Sequence, residues 1–512
     1  MPHNESTLLQ TRQAGVCLHL TSLPGDHGIG DLGRAAIRFV NALAAAGLKV
    51  WQFLPTGPCG YGNSPYQSLS AFAGNELLVD LVELQRWGLL RARDIDALCS
   101  LPAGVVDYDA VVPVKHALLA RASKRFDARC PPVLRARFRA FAQANDKLWL
   151  HDYALFRVLK SKHAERAWLD WEPAFVRREA ASLRRFESRY ASEIRAVKIR
   201  QFFFDCQWRA LYERAAAKGV RLFGDMPIYV ALDSADAWSN RELLRIDANG
   251  RPDCVAGVPP DYFSNDGQLW GNPLYDWAAH AASGYRWWTE RLRHAMARMD
   301  IVRIDHFRGF ESYWSVPADE TTARNGRWES GPGKPLFDAM RAAMGPLPIV
   351  AEDLGIITPA VDALRDELGF PGMKVLQFCV AEDDFYIDDI PVNCVCYTGT
   401  HDNDTTVGWF LGSPDDLRSA GEIQRTQARV LDMTGGSTET VHEDLIRYAF
   451  GSGARLAIAP MQDFLGLGSD ARLNTPGTTV NNWRWRLGRD AFTPALRHRI
   501  RTMIADSGRD GA

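Results

Sequence analysis

No run of about 18 apolar residues occurs in the 512-residue chain, so nothing reads as a membrane span. No charge of one sign dominates. Sixty Lys and Arg stand against 62 Asp and Glu, a net charge of −2. That balance offers no field to steer nucleic acid or an anionic membrane surface, and both are excluded as expected partners. Cysteines are few and unpatterned. The nine form no CxxC pair, which argues against a zinc framework or disulfide scaffold. They read as small buried side chains in a reducing compartment, so the expected location is cytoplasmic. Residues 1–13 are polar and lack the apolar centre of a secretory signal. Internal repeats and low-complexity tracts are lacking too. What is present is an ordinary globular composition, 46% hydrophobic and 24% charged, with an unusual 16 Trp. A chain this long buries about three-quarters of its unfolded surface.

Eight short apolar runs end abruptly in Gly, Pro, Asp or His: 15–20, 49–54, 220–226, 300–304, 348–351, 373–378, 394–398 and 455–460. Their apolar residues run on instead of alternating, which predicts strands buried on both faces. Helical pattern separates most of them. Strand and helix repeated eight times predicts an α/β fold, a (β/α)8 TIM barrel, ahead of a doubly wound open sheet. The spacing is uneven. Residues 12–75 would hold strands one and two, and 76–200 an inserted helical subdomain rich in Arg and Ala. Residues 201–505 would hold strands three to eight, with a long active-site loop at about 231–285.

Gly28-Ile29-Gly30-Asp31-Leu32-Gly33 matches the dinucleotide pattern GxGxxG. A true fingerprint puts its first Gly directly after the strand and a carboxylate at the end of the next one. Here residues 21–27 intervene and the second strand ends in Leu54-Pro55-Thr56, so the motif reads as a tight turn.

Barrel chemistry sits where strands end. Strand three ends at Asp225, strand four at Arg303-Ile304-Asp305-His306, strand five at Glu352-Asp353, and strand seven leads to His401-Asp402-Asn403-Asp404. A lone Asp there is most simply a helix N-cap, a role that suits Asp353 and Asp404. Arg303 and Asp305 are two apart on one strand and share a face, an expensive arrangement inside a barrel unless they pair or meet a ligand. Arg303 should hold Asp305 ionised, as a nucleophile requires. Glu352 closes an apolar run, where burial should raise its pKa and make it a general acid. Neighbouring strands lie ~4.8 Å apart, which suits the ~5–5.5 Å carboxyl separation of retaining glycoside chemistry. Metal chemistry fits poorly. Residues 247–250 lack the acid spacing of a calcium loop, and His401-Asp402 is no zinc pattern.

The motifs resemble a known family, the 4-α-glucanotransferases of glycoside hydrolase family 77, also called amylomaltases or disproportionating enzymes. Val302-Arg303-Ile304-Asp305-His306-Phe307-Arg308-Gly309 resembles that family's nucleophile motif. Ala351-Glu352-Asp353-Leu354-Gly355 and Gly399-Thr400-His401-Asp402-Asn403-Asp404 resemble its other two acid motifs. Segments 19–33, 62–74, 224–229, 257–275, 369–378 and 466–477 also match in order. The resemblance implies a barrel with mostly helical insertions, no cofactor and no required metal. It implies Asp305 as nucleophile, Glu352 as acid/base and Asp402 as transition-state stabiliser. Arg303 and His401 would contact the reacting sugar. Asp225, Ser64, Tyr66, His306 and Asn474 would line the cleft, and Gln268 and Trp270 would lie in a loop covering the donor. The implied substrates are maltooligosaccharides and α-1,4-glucans from starch or glycogen, with glucose as acceptor or product. The alternative is an α-glucan hydrolase of the α-amylase type.

Glucose has an apolar C–H face that flat rings can cover. Tyr61, Tyr66, Tyr262, Phe263 and Trp270 lie beside Gly- and Pro-rich turns and are candidates for that contact. Trp149, Trp168, Trp171, Trp208, Trp287 and Trp288 lie in helical pattern and read as packing.

Overall fold

The computed structural model describes residues 11–260, 265–382, 384–413 and 416–510. Tyr262 and Phe263 lie outside the described residues. All eight apolar runs form strands: β1 (Gln13–Cys17), β2 (Val50–Gln52), β3 (Arg221–Pro227), β6 (Ile301–Asp305), β9 (Ile349–Ala351), β10 (Gly372–Val375), β11 (Cys394–Tyr397) and β12 (Leu456–Pro460). They make one parallel sheet in the order β10-β11-β12-β1-β2-β3-β6-β9. The two ends meet where the Ala351 N–H donates to the Pro371 carbonyl at 2.9 Å, which curls the sheet into a (β/α)8 barrel. The barrel is filled from within by Val50, Phe223, Ile301, Val350, Met373, Val395, Leu456 and their neighbours. Burial on both faces explains why these strands read as unbroken apolar runs.

The surrounding helices follow from their periodicity. Arg34–Ala46 buries Ala35, Ala36, Phe39, Val40, Leu43 and Ala46, a stripe at three- and four-residue spacing. It stops at Gly47, whose φ of +82° suits glycine. The glycines of the GxGxxG turn serve packing. A Cβ on Gly30 would lie 2.0 Å from the Leu20 carbonyl oxygen, and one on Gly33 2.5 Å from the Asp80 carboxyl carbon.

Between β2 and β3 the chain is helical, with Tyr108–Arg129, Pro132–Asn145, His151–Lys162 and Ala191–Ala217 the longer members. The last runs through position 200 and leads straight into β3. Two of its glutamines clamp the chain that leaves the barrel. Gln201 bonds both N–H and C=O of Gly74 (2.8 and 2.9 Å), and Gln207 those of Asp80 (2.7 and 3.0 Å).

Residues 231–285, which read as a loop in sequence, carry two strands, β4 (Cys254–Val258) and β5 (Gln268–Pro273). They join β7 (Ser312–Pro317) and β8 (Arg327–Ser330) in an antiparallel sheet of order β5-β4-β7-β8. These strands are short and the β4–β5 pair shifts register between Val255 and Gly257, so no clean alternation marks them in sequence. No helix among the described residues is long and apolar enough to cross a membrane.

Candidate active site

Strand register builds the centre. Asp225 lies opposite Arg303 across β3 and β6, and Ile304 opposite Ala351 across β6 and β9. Asp305 and Glu352 therefore end adjacent strands, and the Glu352 N–H donates to the Ile304 carbonyl at 3.0 Å. Arg303 is buried and forks. One Nη bonds Asp225 Oδ2 at 2.6 Å and the other meets Asp305 Oδ1 at 2.9 Å. The costly Arg–Asp pair inside the barrel is thus paid for within the site.

Glu352 accepts from two backbone amides, His306 N at 2.7 Å and Leu354 N at 2.9 Å. The first contact depends on His306 sitting in the left-handed region, at φ +55°. That conformation is unusual for a bulky residue and clusters at functional sites.

A second group arrives from other strand ends. Tyr66, after β2, donates its hydroxyl to Asp225 Oδ2 at 2.7 Å and stacks on His401 with ring centres 5.2 Å apart. His401 Nε2 lies 3.3 Å from Asp402 Oδ2, and Asn474 donates to Asp402 Oδ1 at 2.6 Å. Trp270, on β5, meets the His306 ring edge-on at 4.8 Å. Ser64 and Gln268 stand apart from the acids. Ser64 Oγ accepts from Tyr66 N (3.3 Å), and the exposed Gln268 Oε1 accepts from Trp270 Nε1 (3.2 Å).

Asp305 departs from expectation. Arg303 does not hold it in the ordinary carboxylate range. Burial pushes its carboxyl up to about 8, against the pull of Arg303 and with further push from Asp225, Glu352 and Asp402. Arg303, which also pairs with Asp225, does not offset that burial. Burial also raises Glu352, again opposed by Arg303. Both carboxyls therefore hold their protons to higher pH than free acids do. Burial lowers His401 and takes His306 down to about 3, so both imidazoles are neutral. Asp225 Oδ1 and His306 Nε2 are buried without hydrogen-bond partners. Such groups cost stability unless a ligand meets them.

Neither Asp353 nor Asp404 is a helix N-cap. Asp353 pairs with Arg365 and accepts from Met373 N at 2.7 Å, tying β9 to β10. Asp404 accepts from Ser469 Oγ at 2.6 Å, and Thr405 caps the helix that follows. One residue the sequence reading missed is Asp463. It is buried and accepts from Thr398 Oγ1 (2.6 Å), Thr406 N (2.8 Å) and Thr406 Oγ1 (2.8 Å), fixing both ends of the His401–Asp402 turn. Its signal was its place just after β12, a strand end that the search for acids passed over.

The family model described as 4-alpha-glucanotransferase matches residues 18–490. The chain belongs to the 4-alpha-glucanotransferase family. A 4-alpha-glucanotransferase of Synechocystis is 46% identical over 497 residues, covering 96% of each chain. One from Thermus thermophilus is 45% identical over 96% of this chain and 98% of its own. The solved amylomaltase of Streptococcus agalactiae, in complex with acarbose, superposes with a TM-score of 0.92 at 35% identity, covering 97% of this chain and 99% of that one. The expectation of a 4-alpha-glucanotransferase enzyme on a TIM barrel stands with these likenesses.

Proposed function

We propose that this enzyme transfers segments of α-1,4-glucan by a retaining double displacement. The adjacency of Asp305 and Glu352 at the ends of paired strands carries the reading. A strand spacing of ~4.8 Å suits the ~5–5.5 Å carboxyl separation of a direct nucleophile better than the wider gap of an inverting reaction. Protonated Glu352 gives its proton to the leaving glycosidic oxygen while the Asp305 carboxylate attacks the anomeric carbon. The C–O bond to the leaving chain breaks and an ester to Asp305 forms. Glu352, now ionised, takes the proton of an acceptor hydroxyl, and that oxygen displaces Asp305.

The other groups support the same step. Asp402, held by Asn474 and His401, would bind sugar hydroxyls as positive charge develops at the anomeric centre. Arg303, Asp225, Tyr66 and His306 would hold the reacting ring, with the unpartnered Asp225 Oδ1 and His306 Nε2 as acceptor or donor for its hydroxyls. Ser64 would act through Tyr66, and Gln268 through Trp270. The donors would be maltooligosaccharides and starch- or glycogen-derived chains, and the acceptors glucose or another maltooligosaccharide. The acarbose bound by the Streptococcus agalactiae relative accords with such ligands. A cytoplasmic location accords with nine unpaired cysteines.

Incubation with maltotriose tests transfer against hydrolysis. The expected products are glucose and chains longer than the substrate. Glucose and maltose alone, with reducing ends rising steadily, would make the enzyme a hydrolase.

A further inference from the structure

Among the described residues Trp328 is the one exposed tryptophan, 40% accessible. It lies on β8, directly opposite Trp314 on β7, and the two rings meet edge to face at 5.1 Å. Its inner face is covered. The Arg308 guanidinium carbon sits 3.8 Å from the ring centre. Arg308 is itself buried and has no acid within ion-pair distance among the described residues. Its guanidinium donates instead to the Ile356 carbonyl and, at 3.3 Å, to Ser312 Oγ. A buried cation under an exposed indole fixes the ring, since a desolvated cation–π contact is worth about 2 kcal/mol.

The tether runs to the reaction centre. Arg308 is three residues after Asp305, so their Cα atoms are at most ~11 Å apart. Ile356 is four residues after Glu352. The fixed ring is therefore braced on the two loops that bear the proposed nucleophile and acid.

We propose that Trp328 is an α-glucan stacking subsite outside the reaction centre, where a chain running out of the cleft lays the C–H face of a glucose ring on the indole. This deepens the transferase reading and rests on it. A rigid aromatic face with no ordering cost is what a flexible, largely polar chain needs for added affinity. The occupant follows from continuity, because the platform is built on the same two loops as the reaction centre.

Trp328→Ala tests it by the dependence on chain length. In the wild type, KM should fall from maltotriose to maltoheptaose. In the variant, the ratio of KM for maltoheptaose to that for maltotriose should rise about fivefold to tenfold. Trp328→Phe, which keeps a flat ring, should restore at least half of that loss. Calorimetry with maltoheptaose in an Asp305→Asn background should show the same factor with chemistry removed. An unchanged KM ratio together with unchanged calorimetric affinity overturns the subsite. A change in oligomeric state with unchanged length dependence would instead assign the ring to an interface between copies. If the wild type forms no chain longer than maltotriose, the transferase reading fails, and the calorimetric arm still judges the subsite.

Discussion

At the barrel mouth, Asp225, Asp305 and Glu352 gather around one guanidinium. Where the helical insertion meets the first barrel helix, Asp31 and Asp80 are buried beside His27 and Lys115, with the ligand-type atoms of His27, Asp31 and Asp80 within 4.8 Å of one another. Both clusters place acids in a dry interior, yet they are satisfied differently. In the second, Asp31 accepts from Gly33 N (3.0 Å) and Asp80 from Val82 N (2.9 Å), each at the start of a helix. Lys115 brings a cation beside both acids and donates to the Leu77 carbonyl at 2.5 Å. In the first, Asp225 Oδ1 is buried with no partner. Buried acids alone do not mark a reaction centre. Unspent hydrogen-bonding capacity beside them does.

The largest expected difference between the clusters is in rate. Asp305→Asn and Glu352→Gln should each lower kcat by at least ~10⁴-fold, about 5 kcal/mol of barrel-mouth chemistry. Melting temperature should hold or rise, because each change removes one of the crowded acids. Transfer assays with maltotriose beside thermal unfolding check both halves. Activity near the wild-type level in either variant would end the assignment of roles.

The second cluster should answer in the opposite way. Lys115→Met leaves Asp31 and Asp80 in a dry site without their cation, a change that typically costs about 3–5 kcal/mol. Urea unfolding should show the loss as a lower midpoint at an unchanged slope. The kcat of the folded enzyme should stay within twofold. A large fall in kcat at unchanged stability would erase the distinction between the clusters.

The two regions also differed in legibility. The eight strands and three acids could be read because continuous apolar runs stopped at carboxylates, a pattern that burial on both faces writes into sequence. The β4–β5–β7–β8 sheet could not. Its strands are short and the β4–β5 pair is bulged, so Cys254–Val258 and Gln268–Pro273 read as loop. Arg303 paired with Asp305 as its spacing implied, yet the raised Asp305 carboxyl was hidden, because its burial and the push of Asp225 arise only when distant strands come together. The tryptophans at helical spacing packed inside as expected, with Trp149, Trp168, Trp171, Trp208 and Trp288 buried and Trp287 half-buried. Asp463 stayed invisible since its partners, Thr398 and Thr406, come together only in the closed barrel.

Acid–base behaviour sharpens the comparison further. Burial pushes Asp80 in the folded protein up to about 6, above its ordinary value of 3.8. A folded-state pKa above the unfolded one means the fold binds that proton more tightly. Its contribution is full below about pH 4 and is lost as pH rises through 6, up to about 3 kcal/mol. The stability of the wild type relative to Asp80→Asn should therefore decline between pH 4 and 7 in urea titrations. A difference that is flat over this range would show that Asp80 keeps an ordinary carboxyl. Activity should follow other groups. The kcat profile should be bell-shaped, set by the Asp305–Glu352 pair, and unchanged in Asp80→Asn.

The smallest effect tests whether the barrel-mouth contacts are tuned for the reaction or merely fill space. Tyr66→Phe deletes one hydroxyl and keeps the ring that stacks on His401. The lost bond, 2.7 Å to Asp225 Oδ2, leaves that oxygen with Arg303 alone. A hydrogen bond to a charged acceptor is worth about 1.5–3 kcal/mol, so kcat/KM should fall about tenfold to 150-fold. Asp225 would then draw harder on Arg303, and Asp305 would lose part of its share of that charge. The acidic limb of the pH–rate profile should move up, because an Asp305 less shielded by Arg303 holds its proton to higher pH. A drop in kcat/KM with no movement of that limb would confine Tyr66 to binding the sugar. A shift of the limb would tie the phenol, through Asp225 and Arg303, to the charge on Asp305.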